Sequence, residues 1–252
     1  MDRRSFVAGT LTGVTGAAAL WSGVALRGSR APASPPKGRT SYSQMGEDLV
    51  LLDLLHAWMK LDTPTYLDLG AADPIDGSNT YLLYTSGCHG VLVEPNPAYV
   101  AKLRQARPRD IVVPAGVGID DSTAADYYVF RDRPMLNTFS PDEVAMRRRQ
   151  SKDFVVEKVV KIPLVSLNSL IATHLGQAPD LLSIDIEGLD LAVLRTLDVD
   201  RYRPAVIIAE AGRPGNVNAD PALVAFVESK GYIVCGTSLY NTIFADRRRF
   251  KA

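Results

Sequence analysis

The sequence predicts an α/β fold built on a doubly wound, mostly parallel sheet. Three observations predict it. Short runs rich in Val, Ile and Leu alternate with stretches of helical periodicity. Several of these runs are apolar almost throughout, as strands buried on both faces are. The two kinds of segment are joined by short connections, which suit β–α–β crossovers.

In chain order, a helical pattern over Glu47–Met59 precedes a first strand, Thr65–Gly70. A second strand, Gly90–Glu94, leads into a helix over Pro97–Gln105. Pro97 suits the first helical turn, where its missing N–H costs nothing. Ile111–Gly116 reads as a third strand, and Leu181–Glu187 as the fourth in the main sheet, followed by a helix over Leu189–Leu197. Ala205–Glu210 comes next. Asp220-Pro221 then reads as the N-cap and first turn of a helix over Ala222–Lys230. Tyr232–Gly236 and Thr242–Ala245 complete the sheet. Residues 127–163 break the rhythm, with β-like pieces Tyr127–Phe130 and Val155–Ile162 around a basic helix at Pro141–Lys152. This segment reads as an insertion over the carboxyl edge of the sheet, where such folds bind ligands.

At 252 residues, 46% hydrophobic and 22% charged, the chain matches a globular protein and excludes disorder, collagen and coiled coil. Two cysteines, Cys88 and Cys235, cannot make a disulfide framework and read as buried small apolar residues. The 28 basic and 28 acidic residues cancel, but six of the basic ones and one acid lie in residues 1–40, so the remainder is acidic by five. An acidic body argues against nucleic-acid binding, which needs a cationic surface.

Residues 1–40 read as a leader and linker ahead of a domain at 41–252. Arg3-Arg4-Ser5-Phe6-Val7 resembles a twin-arginine export signal. The apolar run Phe6–Leu26 would be about 31 Å long as a helix, enough to cross a bilayer. Ala31-Pro32-Ala33 offers a small-residue cleavage site, and a Pro- and Ser-rich stretch follows the run. The chain is therefore expected to be exported or to associate with a membrane through residues 6–26. An uncleaved anchor with a cytoplasmic body is the other reading.

Three motifs carry chemistry. In Tyr66-Leu67-Asp68-Leu69-Gly70-Ala71-Ala72-Asp73-Pro74, an apolar strand ends in an acid and a glycine. Gly70 permits a tight turn and close approach of a ligand to the backbone. The second and third glycines of G-x-G-x-x-G are missing, which argues against a dinucleotide. An acid at Asp68 suits a ligand bearing a cationic amine. In Val91-Leu92-Val93-Glu94-Pro95-Asn96-Pro97, Glu94 ends the next strand 26 residues after Asp68, where a carboxylate accepts bonds from ribose hydroxyls. In Ser183-Ile184-Asp185-Ile186-Glu187-Gly188, Asp185 and Glu187 fall on one side of an extended strand, suited to a general base and its orienter or to a shared metal. His56, His89 and His174 are scattered, so no metal site is expected. Each motif also has a plain structural reading: a strand-to-helix turn, an acid at a helix start, and a helix cap.

Together the motifs resemble the FkbM family of S-adenosylmethionine-dependent methyltransferases. The resemblance runs from about Ser41 to Ala245. It adds Ser43-Gln44-Met45-Gly46-Glu47-Asp48, Ser78-Asn79-Thr80 with Tyr81 and Tyr84, Ser183–Leu194, and Arg203–Glu210. It points to the Ser-Asn-Thr branch. It implies a class I methyltransferase fold, Rossmann-like, with a seven-stranded, mostly parallel sheet, helices on both faces and a reversed last strand. It implies S-adenosylmethionine as cofactor and methyl transfer to a hydroxyl of a sugar, glycan or related small molecule. By similarity, Asp68, Gly70 and Ala71 line the methionine end and Glu94 the ribose. Asn96, Val117 and Gly118 lie near the adenosine, and Ser78 and Asn79 near the cofactor or acceptor. Asp185 or Glu187 is then the base. Many members read D-x-G-A-N-x-G, whereas Ala72 and Pro74 stand here in place of Asn and Gly.

Two other functions stay open on the sequence: a non-catalytic S-adenosylmethionine-binding module, and a dinucleotide-dependent oxidoreductase, against which the missing glycines count. Arg147-Arg148-Arg149 and Arg247-Arg248-Arg249 read as solvated faces, or as contacts to an anionic acceptor or lipid headgroups. Tyr127, Tyr128 and Phe130 read as a half-buried strand or as an acceptor platform.

Overall fold

In the computed structural model, residues 38–211 and 220–250 are described. The leader motifs and the apolar run at 6–26 lie outside the described residues. Among those described, no helix is long and apolar enough to cross a membrane.

The described chain opens with α1 (Glu47–Leu52), which continues as a π-helix over Asp53–Trp58. β1 (Tyr66–Leu69), α2 (Tyr81–Thr85), β2 (Gly90–Val93), α3 (Pro97–Ala106) and β3 (Ile111–Val113) follow. Next come β4 (Gly116–Gly118), β5 (Ala124–Phe130), α4 (Pro141–Gln150), β6 (Val156–Ser166) and α5 (Leu167–His174). β7 (Leu181–Ile184), α6 (Asp190–Thr196), β8 (Val206–Glu210), α7 (Pro221–Ser229), β9 (Tyr232–Thr237) and β10 (Asn241–Asp246) complete the order. The main sheet has seven strands in the order β3-β2-β1-β7-β8-β10-β9. All its pairs are parallel except those of β10, which runs antiparallel to β8 and β9. This is the mostly parallel sheet with a reversed last strand that the resemblance implies.

Both faces of the sheet are covered, which explains the apolar runs. Alternation along β1 sends Leu67 and Leu69 to one core, with Val91, Ile184, Leu170 and Val193. It sends Tyr66 to the other, with Leu92, Ile208, Leu51 and Leu83. Cys88 is buried in this second core, whereas Cys235 is exposed, because it lies on the edge strand β9.

Two expected strands are shorter than their apolar runs. Ile111–Gly116 divides at Pro114: β3 stops at Val113 and Gly116–Gly118 joins a different sheet, because Pro cannot donate to a ladder. Leu181–Glu187 leaves the ladder after Ile184. The sequence predicts neither α2 nor α5. α2 has only five residues, too few to show a period, while α5 is announced by Ser166, whose side chain caps Ser169 N–H.

The insertion is a three-stranded sheet, β4-β6-β5, carrying α4. β5 and β6 pair antiparallel along most of β5. Ser140 caps α4, Pro141 fills its first turn, acids open it and three arginines close it, each suited to the helix dipole.

Candidate functional site

The tips of β1, β2 and β7 meet at one edge of the sheet. Gly70 has φ 82°, and a Cβ there would lie 1.9 Å from the Asp185 carbonyl oxygen, so only glycine lets the β1 turn rest on the exit of β7. Two residues on, Ala72 has φ 44°. That turn aims its N–H at Glu94 Oε2, 2.9 Å away, while Asn96 N–H donates to Glu94 Oε1 at 2.7 Å. Glu94 is only 3% exposed. Burial pushes its pKa up to about 7 against the pull of these two backbone donors. Asn96 itself caps α3, accepting from Ala98 N–H at 3.1 Å.

Asp68 points to the opposite face of β1 from Leu67 and Leu69, into a buried polar network. Thr80 Oγ1 donates to Asp68 Oδ2 at 2.6 Å and accepts from Arg107 Nη2 at 3.0 Å. Arg107 also reaches the Tyr66 hydroxyl at 3.0 Å, Ser78 Oγ at 3.3 Å and Asp110 Oδ2 at 2.7 Å. Burial raises the Asp68 pKa, while Thr80 and Arg107 oppose the rise. The network holds the loop after β1 in place.

Two cavities lie beside these tips. A crevice is lined by Gly70, Ala72, Glu94, Tyr99, Tyr127, Asn137 and Phe139. A larger cavity of about 760 Å³ is lined by Gln44, Arg133, Met146, Arg147, Phe154, Glu210 and Tyr240 among others. Asp185 and Glu187 wall both. The insertion roofs both as well, contributing Tyr127, Asn137 and Phe139 to the crevice and Arg133, Arg147 and Phe154 to the cavity.

The acids between the cavities are tuned by burial. Asp185 has its N–H bonded to Leu69 O at 3.0 Å. Burial, then the Asp68 charge, lifts its pKa to about 6. Its carboxylate has no hydrogen-bond partner among the described residues. Glu187 sits at φ 57° and its carbonyl accepts from Thr138 Oγ1 at 2.8 Å. Its carboxylate pairs with Arg147, which also bonds Glu143 at 2.8 Å. Burial and the neighbouring Asp185 hold the Glu187 pKa well above its usual range, against Arg147. Burial and Asp185 likewise push Asp190 up to about 8 and Glu210 up to about 10. A cation brought among these acids would offset their mutual repulsion and favour their ionised forms. Among the described residues, no group of His, Cys, Asp and Glu is arranged to hold a metal ion.

Of the residues singled out from the sequence, Gly70, Glu94, Asp185 and Glu187 line the cavities. The extended strand that was to carry Asp185 and Glu187 ends before them; a left-handed turn at Glu187 brings the two acids together instead. Ala71 packs in the core with Leu83 and Leu92. Ser78 belongs to the Arg107 network, and Asn79 reaches Ser183 Oγ at 3.5 Å. Val117 packs in the core and Gly118 lies beside Leu164, so neither lines a cavity.

Two site residues escape the sequence reading. Arg147 is 12% exposed and ion-paired, unlike its exposed neighbours Arg148 and Arg149, so the run is not uniformly a solvated face. Asn137 is buried, with Oδ1 fixed by Phe130 N–H at 2.9 Å. Its Nδ2 makes no hydrogen bond of ordinary geometry; a looser interaction with the Tyr127 phenol engages it. Asn137 lines the crevice together with Glu94, and an amide has two N–H donors, so the one not held by Tyr127 suits the acceptors of a nucleoside ring or sugar. Tyr127 lines that crevice against Phe139, whereas Phe130 is buried in the insertion.

A family model described as the methyltransferase FkbM domain matches residues 68–234. No curated protein matches the chain. Among solved structures, a TehB-like SAM-dependent methyltransferase from Corynebacterium glutamicum aligns with TM-score 0.40 and 11% identity, over 79% of this chain and 87% of that one. A precorrin-6y C5,15-methyltransferase from Geobacter metallireducens aligns with TM-score 0.39 and 15% identity, over 82% and 91%. An O-methyltransferase from Bacillus cereus in complex with SAH aligns with TM-score 0.38 and 15% identity, over 83% of each chain.

Proposed function

The chain belongs to the FkbM methyltransferase family, and from that premise we propose that it methylates a hydroxyl oxygen of a sugar, glycan or related small molecule. Its cofactor is S-adenosylmethionine, which supplies a methyl group on a positively charged sulfur.

The observation that carries this reading is the shared wall: Asp185 and Glu187 border both the crevice and the larger cavity. Methyl transfer needs two ligands in line across a short gap, with water excluded. The crevice carries groups suited to a nucleoside but measures only about 40 Å³, so the insertion must shift to admit one. Glu94, once ionised, accepts from both ribose hydroxyls, and the Asn137 amide keeps a second N–H beyond the one turned to Tyr127. The buried carboxylates of Asp185, Glu187 and Glu210 favour a positive charge between the cavities. The 760 Å³ cavity has room for a sugar and presents Gln44, Arg133 and Tyr240 as polar contacts. An alcohol that attacks must lose its proton, and Asp185, with a pKa near 6 and an unengaged carboxylate, is placed to take it. Glu187 is held by Arg147 and orients the site.

Calorimetry with S-adenosylhomocysteine and transfer assays on a panel of glycans test this. Asp185→Asn should bind the cofactor product as wild type does while losing transfer about 100-fold or more. A wild-type chain that binds cofactor and methylates nothing in the panel favours the binding-module reading. Binding unaffected by Glu94→Gln removes the ribose assignment.

The leader supports a place at or beyond the membrane, either exported through Arg3-Arg4 or held by residues 6–26. Mass spectrometry of the mature N-terminus checks this: an intact Met1 contradicts cleavage, and a start after Ala33 supports export.

A further inference from the structure

A second surface stands apart from the catalytic edge. α1, its π-helical continuation, the edge strand β9 and the terminal turn Arg247–Phe250 enclose a groove of about 350 Å³. Val50, Asp53, Leu54, Trp58, Cys235 and Phe250 line it, and none of them lines the crevice or the larger cavity. Trp58 is 73% exposed and Val50 45%. Side chains of this size left in water beside an open apolar groove mark an interaction surface.

The charge around the groove narrows the partner. Arg247, Arg248 and Arg249 are all exposed on the terminal turn. Arg39 lies beside Asp53 of the groove lining, held to it by two bonds of 2.9 and 3.0 Å. The acids nearby are already engaged: Asp53 by Arg39, and Asp246 by Arg248 at 2.8 Å. Arg247 and Arg249 have no ion-pair partner among the described residues. A surplus of cation therefore borders an apolar strip, on a body that is acidic overall. Tryptophan adds its own preference, because its amphipathic ring settles at a membrane–water boundary. Basic side chains beside exposed aromatics are the arrangement that binds anionic bilayers.

We propose that this groove face docks on an anionic lipid surface. Trp58 and Phe250 enter the headgroup layer, and Arg247 and Arg249 pair with lipid phosphate and carboxylate groups. The cavities share no residue with the docking face, so docking leaves both open to ligands.

The chain has two tryptophans, Trp21 and Trp58, so Trp21→Phe leaves Trp58 as the sole tryptophan, to be excited selectively over the tyrosines. The full chain carrying this substitution is mixed with vesicles of phosphatidylcholine alone, or with phosphatidylserine added. With phosphatidylserine, Trp58 emission should move about 10 nm to the blue and acrylamide quenching should fall about twofold. Adding Arg247→Gln and Arg249→Gln, both at exposed positions, should weaken vesicle affinity about tenfold with an unchanged circular dichroism spectrum. Four results would overturn the proposal: emission already blue before vesicles are added, an equal shift with phosphatidylcholine alone, sedimentation with vesicles while Trp58 stays unshifted, or vesicle affinity unmoved by the arginine substitutions.

Discussion

Ala72 shows how much one torsion can decide. Its φ of 44° turns its N–H onto Glu94, yet the left-handed region costs alanine about 1 kcal/mol. Asn and Gly enter that region more cheaply, and Asn stands there in many chains that this one resembles. Ala72→Asn and Ala72→Gly should therefore each raise stability by about 0.5–1 kcal/mol in thermal melts, and Ala72→Val should lower it. Glu94 gives a second residue-scale expectation. With its pKa near 7, the carboxyl is largely protonated below that pH and must release the proton to accept two ribose hydroxyls. Affinity for S-adenosylhomocysteine should rise with pH up to about 7 and level off above it. Glu94→Gln should lower the affinity and flatten that slope in calorimetry across pH. The place of Glu94 was legible, since an acid closing an apolar run and followed by Pro and a helix is a local pattern. Its partner at Ala72 was not, because a positive φ at alanine has no signature in the sequence.

Among the elements, the insertion decides what the site is. Its rhythm-breaking sequence and the Ser140-Pro141 start of α4 were readable, because capping and turn chemistry are local. That Arg147, rather than Arg148 or Arg149, turns inward was not: three identical side chains in a row give no phase. Arg147 ties α4 to Glu187 beyond β7. Arg147→Gln removes that buried cation and should cost about 3 kcal/mol. Limited proteolysis should then cut within residues 134–155 before the sheet unfolds; cleavage no faster than in wild type would contradict the clamp. Gly116 offers a test from the other side of the insertion. A Cβ there would lie 2.4 Å from Phe139 Cζ and 2.8 Å from Leu164 Cδ2. Gly116→Ala should push Phe139 aside, cost about 1–3 kcal/mol and weaken cofactor binding.

For the whole molecule, the buried acids set the response to pH. Unfolded carboxyls lose their protons near pH 4. In the folded chain, Asp185 holds its proton to about 6, Glu94 to about 7, Asp190 to about 8 and Glu210 to about 10. Between these limits the native state binds more protons than the unfolded chain, so stability falls as pH rises. The melting temperature without cofactor should be higher at pH 5.5 than at pH 8. S-adenosylmethionine, which brings positive charge to these acids, should raise it more at pH 8 than at pH 5.5. Scanning calorimetry at the two pH values checks both statements.

By itself the sequence determined the order of the main-sheet strands and of the longer helices, though not α2 or α5, the family, and which strand tips carry acids. Each of these is written in a window of a few residues, as a period, an apolar run or a cap. Only the tertiary structure decided which groups those acids meet. It sent Asp68 inward to Thr80 and the Arg107 network, brought Asn137 to the same crevice as Glu94, and set Arg147 on Glu187. These contacts join segments tens of residues apart. Burial and electrostatic partnership arise only when the insertion folds over the sheet, and no local pattern of side chains records where its inner face will land.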